Sequence, residues 1–223
     1  MIISKFLTMK SVFTFLLSAS LIGISYSRDV FDDHIGKTSN ISVVPFSYDT
    51  EVYYNDDLLY GEEKVIGEGS IGYKITGTDI VVLEPINRVV EIGRGPISIS
   101  YGSTTGYGAN CVGCSGNVAC STNYGTHSLI NDGVYYEDSK YGNVRIVAAD
   151  NSLYPCGTII SIDNGVMDPF MGIVLDTGGA MRNAWQNGNI LIDIAFSYED
   201  SKGIYDATNM DGSVKFKVYR VGW

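Results

Sequence analysis

The chain has 223 residues, with 25 acidic side chains against 15 basic ones and a formal net charge of −10. The acidity is spread along the chain, at −7 for residues 28–95 and −5 for 96–223, and no basic cluster interrupts it. That balance removes the electrostatic footprint of a nucleic-acid-binding protein and disfavours attraction to an anionic bilayer.

In chain order, the first feature is the uncharged apolar run SVFTFLLSASLIGISY (11–26), preceded by Lys5 and Lys10. Small residues close it at Ser25 and Ser27, the pattern of a secretory signal peptide ending after residue 27. The run is short of the about 20 apolar residues a transmembrane helix needs. An uncleaved membrane anchor is the alternative reading, and no stable membrane insertion is expected once the leader is removed. Residues 28–45 mix charge, Ser and Gly without a period and read as a linker.

From 46 to 95 the pattern changes to short segments: FSYDTEVYY, EEKVI, GYKI, DIVVL and RVVEI, cut by glycines. This predicts a small elongated all-β module. A second unit is expected from 96 to 223. Its strand candidates are ISISY (97–101), VRIVAA (144–149), TIISI (158–162), MGIVL (171–175), ILIDI (190–194) and VKFKVYRVGW (214–223). Only SYEDSKGIYDA (197–207) reads as a short helix, with Ser197 as its cap. Six strands, irregular crossovers and no long amphipathic helix favour a small closed barrel over a parallel α/β sheet.

The four cysteines, Cys111, Cys114, Cys120 and Cys156, all fall in the second unit. An even count behind a leader favours disulfides, and three pairings are open. Cys111–Cys114 with Cys120–Cys156 is the favoured one, because the CVGC loop is the most local closure. A zinc site built from Cys111, Cys114, Cys120 and His127 is the competing reading. His34, in a polar stretch, is given no function.

Three aspartates share an unusual setting. Asp150 follows VRIVAA, Asp176 follows MGIVL, and Asp193 lies inside ILIDI. A strand-end aspartate commonly caps a turn, which suits Asp150 and also suits Asp176 before Thr-Gly-Gly. It does not suit Asp193, flanked by Ile192 and Ile194, where an ionised carboxylate is costly unless paired or protonated. The Asp-Thr-Gly tripeptide also occurs in aspartic proteases, but they need two copies to share one proton and this chain has one. Only a symmetric dimer would supply the second, and Gly179 stands where such proteases usually have Ser or Thr.

Residues 104–223 resemble the 3D (three-aspartate) domain, a relative of the double-psi β-barrel lytic transglycosylases. The likeness is carried by TTGYGANCVGCSG (104–116), AADNSLYPCGTIISI (148–162), LDTGGAMR (175–182), LIDIAF (191–196) and KVYRVGW (217–223). More weakly, GEEKVIGEG and VVEIGRGP make 46–95 similar to a shortened five-glycine surface domain. The resemblance implies an all-β chain with a six-stranded double-psi barrel at 96–223. It also implies an exported or wall-associated monomer that cleaves peptidoglycan glycan strands between N-acetylmuramic acid and N-acetylglucosamine. No cofactor or metal is expected.

On this reading Asp193 is the general acid, Asp176 tunes or hydrogen-bonds it, and Asp150 is a third, more structural member. Tyr107, Thr177, Gly178, Gly179, Arg182 and Trp185 are the expected glycan contacts, the glycine pair letting backbone approach the sugar. Burial among Ile190, Ile192 and Ile194, with a like charge nearby, is expected to keep Asp193 protonated. Asp176 and Asp193 are farther apart in sequence than is usual in the family, with the excess in RNAWQNGN (182–189). A wall-binding barrel without activity is the alternative from another functional class.

Overall fold

The computed structural model of the chain describes residues 41–199 and 201–223. The expected leader (1–27) and the expected linker as far as residue 40 lie outside the described residues. Six strands cover the first stretch: β1 (Val43–Phe46), β2 (Thr50–Asn55), β3 (Glu63–Gly67), β4 (Gly72–Ile75), β5 (Val81–Leu83) and β6 (Arg88–Gly93). The linker is therefore shorter than read, since residues 43–45 already belong to β1. The segment FSYDTEVYY also breaks at 47–49 into two strands.

The chain divides into two compact units. One contains 69–86 and the described residues up to 49; the other contains 50–68 and 87–223. In the first, β4 pairs antiparallel with β1 and with β5. In the second, β6 runs parallel to β2 and antiparallel to β3. The segments expected to form one module at 46–95 are thus shared between the two units. β2 and β3 are exposed along nearly their whole length, so their alternation does not mark a buried face.

The second unit continues with β7 (Ser98–Gly108), a hairpin of β8 (Asn117–Thr122) and β9 (Gly125–Ser128), then β10 (Tyr135–Asp138) and β11 (Gly142–Ala148). After these come β12 (Ile159–Asp163), β13 (Phe170–Asp176), helix α1 (Gly179–Gln186), β14 (Leu191–Phe196), helix α2 (Gly203–Ala207) and β15 (Asn209–Arg220). Strands β11, β13, β12, β15, β7 and β14 pair in that order, and β14 returns to β11, so six strands close a barrel. Two pairs are parallel, β11 with β13 and β7 with β14, and the rest are antiparallel. All six expected strands are the six barrel strands, in a mixed arrangement consistent with a double-psi barrel. β10 adds to the first half of β11.

Strands β11, β12, β13 and β14 are buried along most of their length and read as continuous hydrophobic runs, whereas β7 is rich in Gly, Ser and Thr and β15 alternates. Val147, Ile160, Ile162, Val174, Ile192, Ile194, Phe216 and Val218 fill the interior. Their alternate neighbours, Ile146, Ile159, Ile173 and Ala195 among them, form an outer layer with Val118, Cys120, Leu129 and Tyr136. The outer layer therefore joins the barrel to the β8–β9 hairpin and β10. The disulfide Cys120–Cys156 fastens the hairpin to the segment before β12, and Cys111–Cys114 closes the CVGC loop. This is the favoured pairing. With every cysteine bonded to another and His127 Nε2 against the Gly133 carbonyl at 2.8 Å, the zinc reading is set aside.

The helices depart from expectation. Helix α2 is only the end of the 197–207 segment, and Lys202, not Ser197, holds its N-cap position. Helix α1 falls where no helix is expected, because its sequence, GAMRNAWQ, starts on glycine and buries Met181 alone. Gly188, with φ 78°, stops it in the left-handed conformation common after helix ends. The extra residues between Asp176 and Asp193 are thus taken up by a helix. No helix among the described residues is long and apolar enough to cross a membrane.

Candidate functional site

Strand register brings the two aspartates to one level of the barrel. The parallel pairing of β7 and β14 sets Asp193 opposite Thr105, and the antiparallel pairing of β14 with β11 sets it opposite Ala148. Ala148 is also opposite Asp176 on β13. Residues seventeen apart in sequence therefore flank the same residue of β11. A register slip completes the arrangement. Val147 faces Val174, yet Ala148 faces Asp176, so Leu175 is the extra residue of a bulge. Strict alternation would send Asp176 to the interior side with Val174; the bulge re-aims it outward.

Asp193 lies on that outer face, half-buried, between two isoleucines that point into the barrel. The expectation that Ile192 and Ile194 enclose its carboxyl is corrected: strand alternation turns them away from it. Its surroundings come from β7 instead, where Thr105 Oγ1 donates to Oδ1 at 2.8 Å. Burial pushes the Asp193 carboxyl up to about 6, and the negative charges of Glu199 and Asp176 add to the rise against the Thr105 hydrogen bond.

Asp176 is held by three donors. Tyr107 Oη donates to Oδ2 at 2.9 Å, and the backbone amides of Thr177 and Ala119 donate to Oδ1 at 2.9 and 3.1 Å. Burial and the adjacent Asp176 charge drive the Tyr107 phenol well above its usual range, so it remains a donor. Tyr107, an expected stacking residue, is thereby committed to Asp176 and partly buried.

Glu199 is the third carboxylate near Asp193. Its Oε2 accepts from the Gly108 amide at 2.7 Å, and its own amide donates to Asn110 Oδ1 at 2.7 Å. A Cβ at Gly108 would collide with the Glu199 backbone, so glycine permits this approach. Asp150, by contrast, caps a turn: Oδ1 accepts from the amide and hydroxyl of Ser152, and its carbonyl accepts from Leu153 and Tyr154. The Ser152 hydroxyl leads in holding its carboxyl below the usual range, with a small contribution from the Arg182 charge.

An open cleft of about 290 Å³ lies beside Asp176, with Tyr107 and Thr177 on one side and Gly113–Ala119 on the other. Of the expected glycan contacts, Tyr107 and Thr177 line it. Gly178 is extended at the N-cap of α1 and Gly179 opens the helix with free space around it. Arg182 Nη1 reaches Thr177 Oγ1 at 3.4 Å, and Trp185 is 40% exposed on α1. Asp193 does not line the cleft. Thr105, Glu199 and the Ala119 amide were not expected. Thr105 and Tyr107 stand two apart in TTGYG, a signal that becomes readable only once the strand facing Asp193 is known.

No protein-family model, curated protein or solved structure matches this chain. What the site can do follows from its own chemistry. A carboxyl near pKa 6 can give up a proton and take one back close to neutrality. The neighbouring carboxylate is fixed beside it by three donors and need not move during reaction.

Proposed function

We propose that the chain is an exported peptidoglycan lytic transglycosylase with Asp193 as its general acid and base. The observation that carries the reading is the half-buried Asp193 carboxyl, raised to about 6 and set at one barrel level with the triply hydrogen-bonded Asp176. The likeness of 104–223 to the three-aspartate domain supports it, and two disulfides fit an oxidising compartment outside the cytoplasm.

In the reaction, protonated Asp193 gives its proton to the glycosidic oxygen as the bond from the muramoyl anomeric carbon breaks. The muramoyl 6-hydroxyl attacks that carbon, and Asp193, now ionised, takes the hydroxyl proton. The products are a 1,6-anhydro-muramoyl end and a free N-acetylglucosamine 4-hydroxyl. One carboxyl serves both steps, where water-using glycosidases usually employ two. Asp176 stabilises positive charge developing at the anomeric carbon, Tyr107 and Thr105 fix the two carboxyls, and Asp150 shapes the turn after β11.

A wall-binding protein without activity is the second reading. One observation favours it: the cleft is lined by Asp176 and not by Asp193. Incubation of the purified protein with sacculi, followed by mass spectrometry of the soluble fragments, separates the two. Anhydro-muramoyl ends are expected from the wild type and absent with Asp193→Asn; binding to sacculi without such ends would select the second reading.

A further inference from the structure

A second cleft, of about 300 Å³, opens at the far end of the β8–β9 hairpin, where neither Asp176 nor Asp193 reaches. Tyr124 and Tyr135 form its aromatic walls, Thr126 contributes a hydroxyl, Asp132 and Glu137 contribute carboxylates, and His127 and Tyr136 complete the lining with Thr122, whose hydroxyl is held in the hairpin turn. We propose that this cleft is a distal saccharide subsite, which binds a sugar of the same glycan strand whose bond lies at Asp193. The inference rests on the glycan reading of the site and adds a place where the strand is held.

The walls are built rather than accidental. Tyr136, buried beneath the cleft, packs against Tyr124, His127 and Trp223 with ring centroids 6.5, 6.1 and 6.0 Å apart. Tyr135 is fixed from behind by Arg145, whose Nη1 donates to its hydroxyl at 3.3 Å and whose guanidinium lies 5.5 Å from its ring. Tyr124 stands at the hairpin tip, just before Gly125 with φ 93°, and remains 86% exposed. A tight turn needs the glycine; it does not need a large exposed ring beside it.

The lining chemistry selects the ligand. No lysine or arginine lines the cleft, which disfavours an anion. Aromatic faces offer an apolar surface to the C–H face of a pyranose ring, while hydroxyls and carboxylates accept from its hydroxyl groups. Strand β8 joins the two clefts: Ala119 lines the first and donates to Asp176, and Thr122 lines the second. Three residues of strand span about 10 Å, a distance that a short run of linked sugars bridges.

The test uses the full chain and two probes, the dimer and the hexamer of N-acetylglucosamine, in titration calorimetry. The wild type is expected to bind the hexamer more tightly than the dimer. Tyr124→Ala and Tyr135→Ala should each weaken hexamer binding by about tenfold and leave the dimer unchanged, with Tyr124→Phe restoring the wild-type value. Unchanged hexamer affinity in both folded alanine variants would overturn the proposal, as would a wild type that binds neither probe. Release of anhydro-muramoyl ends from sacculi by the wild type reads the catalytic assignment separately. Products with unaltered variant affinities leave that assignment standing and remove the subsite. Length-dependent binding lost in the variants, without products, does the reverse.

Discussion

The Asp193 carboxyl is the group whose ionisation its surroundings decide. Its pKa of about 6 means the folded chain holds this proton more tightly than the unfolded chain does, where a carboxyl near 3.8 is ordinary. Asp193 therefore contributes stability below about pH 4 that is lost as pH rises through about 6. Asp193→Asn has no charge to bury, so its stability relative to wild type should rise between about pH 4 and pH 6 and stay level above, by up to about 3 kcal/mol, read by denaturant titration across pH. Product formation should fall at least ~100-fold in the same variant; a folded variant with near-normal turnover would pass the acid role to Asp176. Wild-type rate should decline as pH rises through about 6, because the acid is then ionised. Glu199→Gln keeps the acceptor for the Gly108 amide and removes a like charge. It should move that decline to lower pH, and Asp176→Asn should do the same with a larger loss of rate. A pH–rate profile left in place by Glu199→Gln would remove Glu199 from the site.

At the scale of elements, what was legible in the sequence follows what is buried. Strands β11, β12, β13 and β14 are covered on both faces, so their runs are β-branched and hard to mistake, while β7 and β15 show only through ISISY and the alternation of VKFKV. The β8–β9 hairpin and β10 cover only one face. NVACST, GTHS and YYED hide that in alternations as short as Val118 and Cys120, which carry no strand signal of their own. Asp193 stood out because a charge in ILIDI demands a reason. The direction of Asp176 did not, since it depends on a bulge that no single strand encodes. Glu199 depends on Gly108, 91 positions away. The hairpin carries both the Ala119 amide on Asp176 and the wall of the second cleft, so its anchor matters to function. Removing Cys120–Cys156, which spans 36 positions, with paired alanines should cost about 3–4 kcal/mol. It should also loosen the Ala119 contact. A thermal midpoint unchanged by the substitutions would show that packing of Val118 and Leu129 alone holds the hairpin.

For the whole molecule, an ion pair with a buried carboxylate and a half-buried guanidinium links the added strand to the barrel's last strand. Asp138 at the end of β10 is 3% exposed in its side chain and meets Arg220 of β15 at 2.7 Å. Burial works against its charge, but Arg220 and the amides of Lys140 and Tyr141 outweigh it and hold the carboxyl below the ordinary range. Its stabilisation is complete above the unfolded pKa and is lost as pH falls through the lower folded value. Asp138→Asn should remove the charge partner of Arg220, whose side chain is 23% exposed and still donates to the Gly157 and Gly222 carbonyls, and cost about 1.5–3 kcal/mol at neutral pH. The cost should shrink in acid, where the wild type also loses the charge; a deficit independent of pH would point to packing rather than to the pair.

The same topology bears on which part of the chain suffices. β7 supplies a barrel stave and both Thr105 and Tyr107, and every barrel strand lies between residues 98 and 220. Ile97 already donates to the Val218 carbonyl at 2.6 Å, tying the start of this stretch to β15. The sheet of β2, β6 and β3 belongs to the same compact unit, yet it pairs only within itself. A fragment of residues 96–223 should therefore unfold in one cooperative transition and still release anhydro-muramoyl ends from sacculi. An unfolded fragment would show that the barrel depends on strands outside its own closure. A folded fragment without products would place part of the glycan path on residues before 96.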